Sequence, residues 1–268
     1  KDIIILDSNI HVSLKNSAKL SKAQVFYFRH NDSAHLKKKL QRLQKSCFGA
    51  IFVTIESTYS MDGDQANIEE IESICSYFQA NLIIDEAHSV GISGTYGEGL
   101  SAHLKNKKSI LARIVTFGKA FGTQGAALLS STLLNTWIKN SCHSFIYTTA
   151  PSPLNILTIS NAIDELQNNS NHLKNIKQKI IETNKIFKFN KWKTPIYPFL
   201  FSDPLKLEQV SQKLAENKFN VLPIRSPTVR HGQERLRVCV HNFNSKEKIT
   251  KLYSLLEEFK NDWKRPIC

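Results

Sequence analysis

Leu82-Ile83-Ile84-Asp85-Glu86-Ala87-His88 is the stretch that decides the fold. Leu82–Ile84 is apolar at every position, as expected of a central strand covered on both faces. Asp85 falls just past its carboxyl end, where open α/β sheets hold their ligands. Outward from it, short apolar strands alternate with helical patterns over the first two thirds of the chain, which predicts an α/β layer fold. The further strands are Ile3–Leu6, Ile51–Ile55, Arg113–Phe117 and Ala126–Leu129. Ser33–Leu43 and Asn67–Phe78 carry apolar residues at helical spacing, Ile68, Ile71, Cys75 and Phe78 in the second. Pro151 and Pro153 punctuate the chain, and a long polar helical stretch is expected over roughly Leu154–Lys188. Strands at Ile196–Phe201, Val221–Ile224 and Arg235–Val240 then mix with helices at Leu207–Asn217 and Lys246–Lys260 as a smaller α+β region. The expected domains are 1–187 and 188–268.

A chain of 268 residues, 41% hydrophobic, can bury a sizeable core. No apolar run approaches the roughly 20 residues that span a bilayer. Lys1-Asp2-Ile3-Ile4-Ile5-Leu6-Asp7 is too short and too bracketed by Asp for a signal peptide, and reads as a strand met in mid-fold. Cys47, Cys75, Cys142, Cys239 and Cys268 are odd in number, scattered and without metal-ligand spacing, which favours a reducing cytoplasm. Lys and Arg exceed Asp and Glu by 36 to 23, a formal charge of +13. Such a surface suits nucleic acid, an anionic membrane or an acidic small molecule or carrier, although plain Lys-rich composition is the better account of the excess. No basic run interleaves with aromatics, so nucleic acid is not expected.

Thr116-Phe117-Gly118-Lys119 stands downstream of the Asp85 strand end. A strand-end Asp, a His three residues on and a Gly-flanked Lys together suit pyridoxal phosphate (PLP): the amine forms a Schiff base and the carboxylate keeps the pyridine nitrogen protonated. Singly, each has a plainer reading. Asp85 could cap a helix, His88 could be a satisfied structural histidine, and Lys119 a surface lysine. Gly91-Ile92-Ser93-Gly94-Thr95-Tyr96-Gly97-Glu98-Gly99 lacks the GxGxxG spacing and reads as a tight turn rather than a phosphate cradle. Glu56 to Asp64 brings hydroxyls and carboxylates to the same sheet edge, with a solvent-facing turn at Asp62-Gly63 as the alternative. Arg225 could clamp a carboxylate bidentately, or lie in an exposed turn at Ser226-Pro227.

Together these pieces resemble the α-oxoamine synthases, PLP enzymes of fold type I. The matching stretches are Asn9-Ile10-His11-Val12-Ser13, His30-Asn31-Asp32, Ser60-Met61-Asp62-Gly63-Asp64, Asp85-Glu86-Ala87-His88, Thr116-Phe117-Gly118-Lys119 and Arg235-Leu236-Arg237, in the family's order over nearly the whole chain. The resemblance implies a mostly parallel sheet with helices on both faces, plus a smaller C-terminal α+β domain. It implies that Lys119 holds PLP and moves the substrate α-proton, that Asp85 pairs with the pyridinium nitrogen, and that His88 bonds near the ring hydroxyl. His11 would stack on the ring, Ser60 contact the cofactor and Thr116 bind its phosphate. Thr149 would reach the phosphate of a partner subunit in a homodimer. Arg225, with Thr228 beside it, would hold the carboxylate of an amino acid. On the likeness of Ile224–Val229 that amino acid is L-alanine, and the acyl donor a pimeloyl thioester on CoA or an acyl carrier protein, to which a basic rim would be suited.

Two departures stand out. Pro151-Ser152-Pro153 replaces a Pro-Pro pair. Family members also carry on the order of a hundred residues before the Asn9/His11 motif. That part of the family fold, including a loop whose amides bind phosphate, is expected to be absent. The alternatives are another α-oxoamine synthase, of the glycine C-acetyltransferase, 5-aminolevulinate synthase or serine palmitoyltransferase type, or a non-catalytic fragment or subunit that keeps the sheet but binds PLP poorly.

Overall fold

A computed structural model describes residues 2–46, 48–190 and 192–266; Cys47 and Cys268 lie outside them. The chain forms two compact units, Lys1–Tyr59 with Gln65–Ser170, and Ser60–Asp64 with Asn171–Cys268.

The first unit begins with β1 (Ile3–Asp7), α1 (Val12–Leu20), β2 (Gln24–Phe28), α2 (Ser33–Leu43), β3 (Ile51–Glu56), α3 (Ile68–Tyr77) and β4 (Asn81–Asp85). It continues through β5 (Ile110–Thr116), β6 (Ala126–Ser130), α4 (Thr132–Ser141), α5 (His143–Ile146) and α6 (Pro153–Asn168). Its sheet runs β2-β1-β3-β4-β5-β6, parallel throughout except for the antiparallel edge strand β6.

Side chains alternate across a strand, so β1 feeds two cores. Ile3 and Ile5 join the main core with Leu36 and Leu40 of α2 and Ile68, Ile71 and Cys75 of α3. Leu6 turns the other way onto Ile10 and Ala18, with Ile4, Leu14 and Val25 packed around them. Helices therefore cover both faces, as expected of a largely parallel sheet. β4 is central, and Leu82 and Ile84 are fully buried. By contrast α4, α5 and α6 contain no buried residue, and Leu133, Trp137 and Leu154 are among their exposed apolar side chains.

The second unit contains α7 (Asn171–Phe187), β7 (Ile196–Phe201), α8 (Pro204–Glu216), β8 (Pro223–Ile224), β9 (Arg235–Cys239), α9 (Lys246–Glu257) and β10 (Trp263–Lys264). Its antiparallel sheet, ordered β10-β7-β9-β8, shares an aromatic-rich core with these helices: Phe187, Tyr197, Phe199, Leu207, Leu236, Leu256 and Trp263.

The helical stretch expected over Leu154–Lys188 is two helices, α6 and α7. The break comes at Asn169-Ser170, where Asn169 ends α6 with its side chain bonded to Glu165 (2.9 Å). Asn and Ser offer the backbone local alternatives to helix, which explains the stop. α7 buries Leu173, Ile176, Ile180 and Phe187 and packs on α9. The compact units accordingly divide at Ser170/Asn171, ahead of the expected boundary at 188. The strand expected at Val221–Ile224 shortens to Pro223–Ile224; proline has no N–H to give a ladder. α1, β2, α4, α5 and β10 are additions to the expected elements. Cys75, Cys142 and Cys239 are free, and among the described residues no helix is long and apolar enough to cross a membrane.

Candidate functional site

Asp85, His88, Thr116 and Lys119 lie at or just past the carboxyl ends of the neighbouring strands β4 and β5, and His11 past that of β1. Asp85 pairs with Glu56 of β3 on one side and Ile114 of β5 on the other, so β3 and β4 end level and β5 runs two residues further, to Thr116. Asp85 is the last residue of β4, buried, and its Oδ1 accepts the Ala87 N–H at 2.9 Å. Burial pushes its carboxyl above the usual range, opposed by the Ala87 N–H and by the positive charges of Lys119 and His11. Lys119 is exposed on the turn after β5, and its Nζ lies 3.4 Å from Thr116 Oγ1. His88 is half-buried on the turn after β4, and Thr149 is exposed ahead of α6.

His11 caps α1. Its Nδ1 accepts the Ser13 N–H (3.3 Å) and lies 2.8 Å from Ser13 Oγ. The turn carrying His11 is held by Asp7, the last residue of β1, whose carboxylate accepts from Asn9 N (2.8 Å) and Asn31 N (2.9 Å) and pairs with His30 Nδ1 (2.9 Å). Burial would raise this carboxyl, but His30 and the two amides hold it below the usual range. The His30 ring packs edge-on to Tyr59 at 4.3 Å. Asp7 thus joins the Asn9–Ser13 and His30–Asp32 motifs, a role that sequence reading did not assign it.

Glu86 was also missed. It is fully buried and accepts from Ser101 N (2.9 Å), Leu100 N (3.0 Å) and Arg113 (3.2 Å), and from the hydroxyls of Ser89 and Ser101. Ser57 extends the network through Ser89 (2.8 Å). Burial alone would raise the Glu86 carboxyl, yet the donors from Ser101, Ser89 and Ser57 hold it below its ordinary value. The network ties the glycine loop to β4 and β5. Glu86 beside the strand-end Asp was the available signal.

Ser60, Arg225 and Thr228 belong to the second unit. Ser60 is buried, whereas Arg225 and Thr228 are exposed, and Arg225 is ion-paired with Glu208. The structure brings two predicted motifs together there. Arg237 donates to Ser60 O, and Arg235 to Met61 O (3.3 Å) and the Asp62 carboxylate. The alternative of a solvent-facing Asp62-Gly63 turn is corrected by the packing. Gly63 is buried at φ +72°, and a Cβ there would lie 2.4 Å from Ile196 O.

Residues 1–254 match the profile of the family described as aminotransferase class I and II, and the chain belongs to that family. An 8-amino-7-oxononanoate synthase of Vibrio atlanticus (strain LGP32) is 33% identical over 259 residues, which are 94% of this chain and 62% of the relative. The chain thus spans somewhat under two thirds of that relative's length. Among solved structures, the Francisella tularensis 8-amino-7-oxononanoate synthase superposes with a TM-score of 0.81 at 27% identity, over 97% of this chain and 76% of the other. A Sphingomonas wittichii serine palmitoyltransferase gives 0.88 at 23% identity, over 97% and 66%. The latter likeness concerns the fold.

Proposed function

We propose that the chain is the larger part of a PLP-dependent α-oxoamine synthase, and specifically of an 8-amino-7-oxononanoate synthase. In this reading it joins L-alanine to a pimeloyl thioester of CoA or an acyl carrier protein, with loss of carbon dioxide. The observation that carries the class is the buried Asp85 carboxylate at the end of the central strand, with Lys119 on the turn after the neighbouring β5 and His11 past the end of β1. The donor set fits PLP: a carboxylate for the pyridine nitrogen, an amine for the aldehyde, a hydroxyl beside that amine and an imidazole. The finer assignment is supported by the relatives of that name.

When bound, PLP supplies an aldehyde for the amine and a ring that accepts the electron pair left at the substrate α-carbon. Asp85 would keep the proton on the ring nitrogen. Its burial, costly while it stands alone, becomes an asset beside a cation. Lys119 Nζ is the group placed to hold the aldehyde and to move the proton at the α-carbon. Thr116 would bind phosphate, with Ser60 and His88 as further cofactor contacts. His11, with its ring fixed by Ser13, would lie against the cofactor's face. Arg225, released from Glu208, would take the amino-acid carboxylate with Thr228 beside it. Thr149 would serve the partner's site in a homodimer, and the protein would act in the cytoplasm.

The test is the visible absorption of purified protein with PLP, before and after L-alanine, glycine or L-serine, together with mass detection of the aminoketone. L-alanine is expected to perturb the bound-PLP band most, and Lys119→Ala to abolish both band and product. Product formed by Lys119→Ala at the wild-type rate would refute the reading. A dominant response to L-serine would favour a serine palmitoyltransferase type, the second reading that the structural neighbours raise.

A further inference from the structure

The glycine loop after β4 carries a contact that bears on Lys119. Gly91 is buried at φ +76°, and a Cβ built there would lie 2.4 Å from the Cβ of Ala120, the residue next to Lys119. On the other side Gly91 N–H donates to Gly97 O at 2.7 Å, and a Cβ on Gly97 would lie 3.1 Å from Gly91 Cα. The Gly91 backbone is therefore held between Gly97 and Ala120 with no room for a methyl group. The far end of the loop is fixed as well. Leu100 and Ser101 donate to the buried Glu86, and Arg113 to Glu98 O.

The turn bearing Lys119 is closed by Thr123 N to Phe117 O (2.8 Å), Gly122 N to Lys119 O (3.1 Å) and Phe117 N to Gly125 O (2.9 Å), by the edge-on Phe117–Phe121 ring contact, and by Asn155 Nδ2 of α6 donating to Gln124 O (3.2 Å). It is also open around Gly122, where a Cβ would meet nothing within 4 Å. A turn with three glycines at 118, 122 and 125 has little stiffness of its own. Its place is set by what it rests against.

We propose that Gly91 is a positioning residue: its bare Cα is the stop on which Ala120 rests, and this fixes Lys119 relative to the Asp85 carboxylate. The role rests on reading Lys119 and Asp85 as the cofactor-holding pair. Gly91 acts through the turn.

The test moves one methyl group across the contact, comparing Gly91→Ala, Ala120→Gly and the double variant. Gly232→Ala is the control, since Gly232 has φ +80° and nothing within 4 Å of its built Cβ, so it carries the backbone penalty without a clash. The first readout is amide hydrogen exchange over residues 117–125 in PLP-free protein. The second is capture of PLP at Lys119, trapped with borohydride and located by peptide mass.

Gly91→Ala and Ala120→Gly should each speed exchange in that turn while β4 stays protected. A displacement near 1 Å can cost an oriented reaction on the order of a hundredfold, so capture should fall by roughly tenfold to a hundredfold. The double variant should restore both readouts toward wild type, and Gly232→Ala should move neither. Unchanged exchange at 117–125 in both single variants, or no recovery in the double, would overturn the proposal. If Gly91→Ala fails to fold, Ala120→Gly alone decides it by the same two readouts. A wild type that captures no PLP at Lys119 would sink the functional reading, while the exchange data still decide the positioning role.

Discussion

Two adjacent carboxyls, Asp85 and Glu86, are both buried and are shifted in opposite directions. The difference lies in what faces them: Glu86 is ringed by donors, whereas Asp85 has one backbone N–H and two more distant charges. Asp85 holds its proton more tightly folded than unfolded, so ionising it costs stability as pH rises from its ordinary 3.8 through the raised folded value. Asp85→Asn, which can keep the Ala87 hydrogen bond, should therefore stabilise PLP-free protein at pH 7 by roughly 0.5–2 kcal/mol and lose that gain in acid. Urea unfolding at the two pH values checks it, and PLP capture should be lost in the same variant. Glu86 behaves inversely. Its contribution is complete above its ordinary 4.5 and fades as pH falls through the lower folded value. Glu86→Gln leaves Arg113 without its carboxylate and turns an amide toward N–H donors, at a cost of about 3 kcal/mol at pH 7 by urea titration. Asp85, His88 and Lys119 were proposed from the sequence because their chemistry is unusual in combination. Asp7 and Glu86 were not, since their partners Asn31, Ser101 and Arg113 lie far along the chain and only the fold brings them near.

At the scale of elements, legibility followed burial. Leu82–Ile84 is continuous in apolar residues because both faces are covered, and the strand was found almost as it stands. α2 was found over its full length, its Leu36, Leu40 and Leu43 lying on one stripe. β2, an edge strand with Gln24 and Tyr27 exposed, and α1, which buries only Ala18, gave weaker patterns. The same contrast predicts energetics. Ile84→Ala in the central strand should cost about 2–5 kcal/mol, and Leu129→Ala in the half-exposed β6 within roughly 1 kcal/mol, both read from denaturant midpoints. Equal losses would mean that the β6 face is covered in solution. The break at Asn169-Ser170 escaped the periodicity because polar helices on either side blur the stop.

For the whole molecule, the two-part division was visible in the shift from parallel-type strands to an α+β pattern, but its path was not. The chain passes between units three times, at Tyr59/Ser60, Asp64/Gln65 and Ser170/Asn171. A five-residue excursion has no compositional mark; Ser60–Asp64 is assigned by where Arg235 and Arg237 find their partners. Arg235 is only 4% exposed; its guanidinium donates to Gln233 O (3.0 Å) and to Met61 O, and its charge is met by the Asp62 carboxylate.

The second unit is therefore born in two instalments. Ser60–Asp64 leaves the ribosome long before Asn171, and must wait for Arg235 to be made before its own carboxylate and carbonyls are used. A protein split at residue 170 would separate these instalments, leaving the piece 171–268 with a buried cation and no anion, a defect worth about 3–5 kcal/mol. Such a piece should lack a cooperative thermal transition on its own and gain one when a peptide spanning Ser57–Asn67 is added.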